Sequence, residues 1–175
     1  VEVGSTWAAA GRLCVRFLQA TRLRSARSFY RDAPIARNVC IHRHNPIPGP
    51  AGYLEALGVR VDRVPCGPDG VVGASALAAA LTDETRLVSI MHSNNELGTV
   101  QPVAELAELC RERGVLFHTD ASQSIGKVPL DVGDLGIDML TVAGHKLYAP
   151  KGVGALYVRK GLQLEPLIHG ASHES

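Results

Sequence analysis

Long hydrophobic runs are missing from this 175-residue chain. No apolar stretch approaches the ~18 residues of a membrane-crossing helix. Net charge is scarce as well: 18 Lys and Arg against 17 Asp and Glu leave +1. The chain as a whole therefore offers no electrostatic case for nucleic acid or membrane as a partner. Its four cysteines, Cys14, Cys40, Cys66 and Cys110, show neither CxxC nor metal-type spacing. They read as reduced thiols of a cytoplasmic protein, with no metal site. Acids are almost absent before residue 45, where Glu2 and Asp32 stand against Arg12, Arg16, Arg22, Arg24, Arg27, Arg31, Arg37 and Arg43. Such a segment reads either as a transit peptide or nucleic-acid arm, or as an arginine-rich helix or loop with neither role.

What is present is ordinary globular material, 46% hydrophobic and 20% charged, and long enough for one domain with a core. Val1 in place of methionine and the polar end His169–Ser175 read as marks of an incomplete chain. Prolines 46, 48 and 50 remove donors and restrict their neighbours, so Asn45–Pro50 is expected to hold no regular structure and to act as a junction. The expected organisation is a diverged or unassigned segment over 1–50, of which residues 1 to about 45 pack poorly on the rest, and a partial domain over 51–175.

Within 51–175 the pattern is orderly. Tyr53–Leu57 reads as a helix tail stopped by Gly58. Val59–Val64 alternates as a strand, Ala74–Leu81 is helical, and Leu87–Met91 is a buried strand. Pro102 opens a helix with Val103, Leu106, Ala107 and Cys110 on one face, and Gly114 closes it. Val115–Thr119, Met139–Val142 and Val153–Val158 complete the strands. Alternating strands and helices predict an α/β domain with a mainly parallel sheet and flanking helices. Ligands in such sheets bind beyond the carboxyl ends of the strands. Asn94–Asn95, Asp120 and His145–Lys146 each follow a strand, so three polar clusters are expected to converge on one site.

Their chemistry is specific. A lysine at a strand end beside His145 and Gly144 is poorly placed for solvation. Desolvation frees its amine as a nucleophile, suited to a Schiff base with an aldehyde cofactor. Pyridoxal 5'-phosphate is such an aldehyde, and it needs a lysine, an acid near its ring nitrogen and a phosphate cradle. Asp120 either pairs with that nitrogen or caps the next helix. Gln123 either donates to the phenolic oxygen or lies on a helix surface. Asn95 either contacts the same oxygen or a substrate carboxylate, or is a turn residue before Gly98. His145 either donates to the phosphate or fills space beside Lys146.

Three segments carry a resemblance: His92–Gly98, His118–Ser124 and Ala143–Gly152. Their residues, order and mutual spacing resemble the cysteine desulfurase and selenocysteine lyase family, within the class V aminotransferase group of fold-type I pyridoxal-phosphate enzymes. The resemblance covers about residues 53–175 and implies the large cofactor-binding domain of that fold, incomplete here. It implies Lys146 as the Schiff-base lysine, Asp120 at the ring nitrogen, Gln123 and Asn95 at the cofactor oxygen, and His145 at the phosphate. His44, in His44–Asn45–Pro46, falls where relatives carry a ring-stacking histidine. Relatives often carry a phosphate-donating serine where Ala143 stands, and a threonine-bearing phosphate loop that is not found in Val1–Arg43. The implied activity removes sulfur from cysteine, giving alanine and an enzyme persulfide, in support of iron–sulfur cluster assembly. Its implied partners are a second copy of the full-length chain and a sulfur-acceptor protein. The sulfur-accepting cysteine, the substrate-carboxylate arginine and a partner-subunit threonine lie beyond Ser175 in relatives. A fragment without sulfide turnover is thus the expectation; selenocysteine lyase and an inactive cofactor-binding piece are the alternatives.

Overall fold

A computed structural model of the chain describes residues 38–42, 48–56, 58–162 and 164. His44, Arg12–Arg37, Cys14 and the end His169–Ser175 lie outside the described residues. Among the described residues there are six strands: β1 (Asn38–His42), β2 (Arg60–Val64), β3 (Thr85–Met91), β4 (Leu116–Asp120), β5 (Met139–Ala143) and β6 (Gly154–Val158). The helices among the described residues are α1 (Pro48–Ala56), α2 (Ala74–Ala80), α3 (Val103–Glu112) and the single turn α4 (Val132–Leu135). The strands form one sheet in the order β2-β1-β3-β4-β5-β6. All neighbours are parallel except β5 and β6. The α/β architecture with a mainly parallel sheet and flanking helices is as expected.

Strand alternation sends residues to two faces. On one face Val88, Ile90, Phe117 and Leu140 meet Leu77 of α2 and Val103, Leu106, Ala107 and Cys110 of α3. Those four α3 residues are the ones spaced to share a helix face, and each is at most 1% exposed. On the other face Val61, Leu87 and Met139 meet Ala51 and Leu54 of α1. Helices thus cover both faces, as parallel sheets require.

Two features depart from the sequence reading. Asn38–His42, inside the segment left unassigned, is a sheet strand between β2 and β3. The Asn45–Pro50 stretch was expected to hold no regular structure, yet α1 begins at Pro48. Proline is tolerated in the first helical turn, where its missing N–H has no intrahelical acceptor and its φ is already helical. The helix ends as expected, with Gly58 at φ 83° and its N–H donating to the Glu55 carbonyl at 3.0 Å.

Candidate active site at the carboxyl edge of the sheet

β3, β4 and β5 are adjacent and parallel, with Met91 opposite Asp120 and Asp120 opposite Thr141. Their carboxyl ends therefore share one edge. The loops that carry Asn95, Gln123 and Lys146 all leave from that edge.

Asp120 is the last residue of β4. Its backbone is held from both sides. The His92 N–H donates to the Asp120 carbonyl at 2.8 Å, and the Ala121 N–H donates to the Thr141 carbonyl at 3.0 Å. The half-buried carboxylate accepts through Oδ1 from the Ser122 N–H at 2.9 Å. That bond caps a turn, not a helix, because residues 122–127 form successive turns. Gln123 is half-buried within those turns, so it is not a helix-surface residue. Among the described residues no salt bridge engages Asp120.

The loop after β3 separates the two asparagines. Asn94 is buried, and its Oδ1 accepts from the N–H groups of Glu96 and Leu97 at 2.8 and 2.9 Å. Its own N–H donates to the Thr99 carbonyl at 2.9 Å. Asn94 is spent on folding the loop, and Asn95 is left exposed. Gln101 anchors the loop from beneath. Its Nε2 donates to the Gly70 carbonyl at 2.7 Å, and its Oε1 accepts from the Val72 N–H at 2.8 Å.

Lys146 closes a 3-10 turn, Gly144–Lys146, that follows β5 directly. Gly144 is needed there. A Cβ on it would stand 2.7 Å from the Val153 carbonyl oxygen, a backbone atom that cannot step aside. The Gly144 N–H donates to that same carbonyl at 2.8 Å. The turn so fixed leaves His145 and Lys146 half-buried, side by side, at the edge where β4 delivers Asp120. Ala143, just before it, is buried and brings no hydroxyl.

The structure thus brings Asp120, Gln123, Asn95, His145 and Lys146 to one edge of the sheet, and His44 lies outside the described residues. One group was overlooked. His118 lies fully buried two residues before Asp120 and bonds to Ser89 and Thr141. Only its i, i+2 spacing from Asp120, which places both on one face of a strand, marked it in the sequence. Burial pushes its pKa from 6.5 down to about 4, against the opposing pull of the Asp120 charge. Burial also lowers the pKa of His92.

Comparison with known proteins decides the family. The profile described as "Aminotransferase class-V" matches residues 44–174. The chain belongs to the class-V aminotransferase family. Among its relatives, the cysteine desulfurase IscS of Dictyoglomus turgidum is 46% identical over 132 residues, which are 75% of this chain and 34% of that protein. The chain spans about a third of the length of that curated relative. Two solved structures superpose closely. One is described as SspA in complex with cysteine, with TM-score 0.82 and 36% identity over 98% of this chain and 48% of that one. The other, a NifS-like protein, has TM-score 0.84 and 32% identity over 98% of this chain and 45% of that one. The family is pyridoxal phosphate-dependent in general. Among the described residues no helix is long and apolar enough to cross a membrane.

Proposed function

We propose that the chain holds pyridoxal 5'-phosphate for a desulfurase that removes sulfur from cysteine, with alanine as the carbon product. One observation carries the reading. A carboxylate, an amide, an imidazole and an amine leave the sheet at a single edge, at the ends of three adjacent parallel strands.

The donor set fits the cofactor group by group. Asp120 offers a carboxylate oxygen to a protonated ring nitrogen, because Ser122 engages Oδ1 alone and no salt bridge competes among the described residues. Gln123 and Asn95 supply amides for the phenolic oxygen, and His145 supplies an imidazole for the phosphate. Lys146 supplies the amine that holds the aldehyde covalently. Bound there, the cofactor supplies an electron sink that stabilises negative charge on the substrate carbon. Asp120 strengthens that pull by keeping the ring nitrogen protonated. Lys146 would also carry a proton at its Nζ.

Sulfur transfer also needs a thiolate in reach of the substrate. Cys110 is fully buried under α3, and Cys66 is half-buried against the same core. Neither lies in the segments that leave β3, β4 and β5, and β1 separates Cys66, just past β2, from those strands, so the site residues named here account for cofactor binding and proton handling. The thiolate, a second copy of the chain and a sulfur acceptor belong to the proposal for the whole enzyme. A cytoplasmic location belongs to it too, supported by four cysteines that show neither CxxC nor metal-type spacing.

The test is borohydride reduction of the chain after incubation with pyridoxal phosphate, followed by peptide mass mapping. The expected adduct lies on the peptide carrying Lys146 and vanishes in Lys146→Ala. An adduct on other lysines only, or unchanged labelling in that variant, overturns the assignment.

A further inference from the structure

The alternation along β4 that turns Asp120 toward the α1 face turns His118 the same way, since Leu116 of the same set packs there. On that face the sheet is apolar at Leu87, Leu116 and Met139 and becomes polar just before its carboxyl edge. Ser89 stands opposite His118, and Thr141 stands opposite Asp120. The imidazole bridges them. Its Nδ1 shares a hydrogen bond of 2.8 Å with Ser89 Oγ, and its Nε2 shares one of 2.9 Å with Thr141 Oγ1. Ser89 and His118 are wholly buried and Thr141 is 2% exposed.

Hydroxyls donate or accept as required, so two of them satisfy a neutral imidazole completely, one as donor and one as acceptor. A charged imidazolium in the same place would lose its hydration and leave one of its two N–H donors facing a hydroxyl that must give up its own donor role. The low pKa of His118 agrees with this. Two consequences reach Asp120. The bridge ties β3, β4 and β5 together immediately behind the carboxylate. It also fills the space behind Asp120 with a ring that carries no charge.

We propose that His118 is a positioning residue: a neutral imidazole, clamped by Ser89 and Thr141, that sets the Asp120 carboxylate and leaves its charge for the protonated ring nitrogen of the cofactor. The proposal rests on the cofactor reading above and adds to it the group that keeps the acid uncompensated from within. A cationic side chain at position 118 would pair with Asp120 internally and weaken its hold on the cofactor.

The test uses nitrogen-15 spectra of the full chain. Near neutral pH the His118 ring is expected to show one protonated and one bare nitrogen, with or without cofactor. Two protonated nitrogens would make His118 the counter-ion of Asp120 and overturn the proposal. Pyridoxal phosphate labelled at its ring nitrogen then reports on Asp120. Its signal is expected at the protonated position in the unsubstituted chain, displaced toward the bare-pyridine position in His118→Phe, and partly restored in His118→Gln. A His118→Phe protein with lowered melting temperature but an unmoved cofactor signal means a mere strand cross-link and also overturns it. Should His118→Phe fail to fold, Ser89→Ala and Thr141→Val each remove one clamp, and an unmoved signal in both counts against the proposal. Asp120→Asn separates the two readings. If the cofactor signal ignores that change, the cofactor reading is what fails, and the His118 ring spectrum still decides whether the imidazole is neutral.

Discussion

Acid should unfold this protein partly through His118. In the unfolded chain a histidine takes up a proton near pH 6.5; in the folded chain His118 does so only at about 4, because burial disfavours the imidazolium. Between those values the unfolded state binds more protons, so stability rises with pH there and falls as the solution is acidified. The contribution is fully present above about pH 6.5 and is lost as pH drops toward 4. Each decade of proton affinity is worth about 1.4 kcal/mol. The interval of roughly two and a half decades therefore amounts to about 3 kcal/mol, a large share of the 5–15 kcal/mol typical of a domain. His92 acts in the same direction, since burial lowers its pKa too. The assay is urea unfolding of the unsubstituted chain and of His118→Phe at intervals from about pH 7 to 4. Groups common to both cancel in the difference. The stability advantage of the histidine protein should shrink by about 3 kcal/mol on acidification. Parallel curves over that range would refute the argument, because the imidazole would then titrate alike in both states.

Three further outcomes are expected. Gly144→Ala forces a Cβ to 2.7 Å from the Val153 carbonyl, so it should cost about 1–3 kcal/mol, read as a lower urea midpoint together with weaker pyridoxal phosphate uptake. Asn94→Ala and Asn95→Ala should part company. The first removes a buried acceptor for two N–H groups and should lose about 1–3 kcal/mol, whereas the second should leave the urea midpoint within about 0.5 kcal/mol and weaken cofactor binding alone. Gln101→Leu strands the Val72 N–H and the Gly70 carbonyl; it should cost about 2–4 kcal/mol and speed amide exchange across residues 70–72 and 93–101.

The elements legible from the sequence were those whose pattern is local. Val103, Leu106, Ala107 and Cys110 announce a helix face by their spacing, and that face is buried. Leu87–Met91 announces a buried strand by being apolar throughout, and β3 is that strand lengthened by two residues. β1 is five residues beside an arginine-rich stretch, too short for periodicity to register. The start of α1 was hidden because proline reads as a breaker unless the first turn is already located. At the site, the convergence of three strand ends followed from α/β topology, while the roles of single residues came from family resemblance. Neither route distinguishes Asn94 from Asn95, since only the folded loop shows which amide is consumed by backbone N–H groups. The His118 bridge was invisible for a related reason. Its partners lie 29 and 23 residues away in sequence, and no local pattern encodes a bond formed across strands.

The antiparallel return of β6 has a kinetic consequence. Ala143 pairs with Gly154, so the segment bearing Lys146 is closed by contacts between near neighbours in the chain. Every parallel pairing of the sheet, by contrast, waits for a crossover of a dozen or more residues. Local pairings form sooner than distant ones because less chain entropy is lost in closing them. The lysine is therefore expected to be in place early in folding, and Asp120 and Asn95 to reach it only when β3 and β4 dock. Pulse-labelled hydrogen exchange during refolding should show amides of 140–143 and 154–158 protected ahead of those in 87–91, leaving a brief interval in which the amine is presented without the acid that is to work beside it.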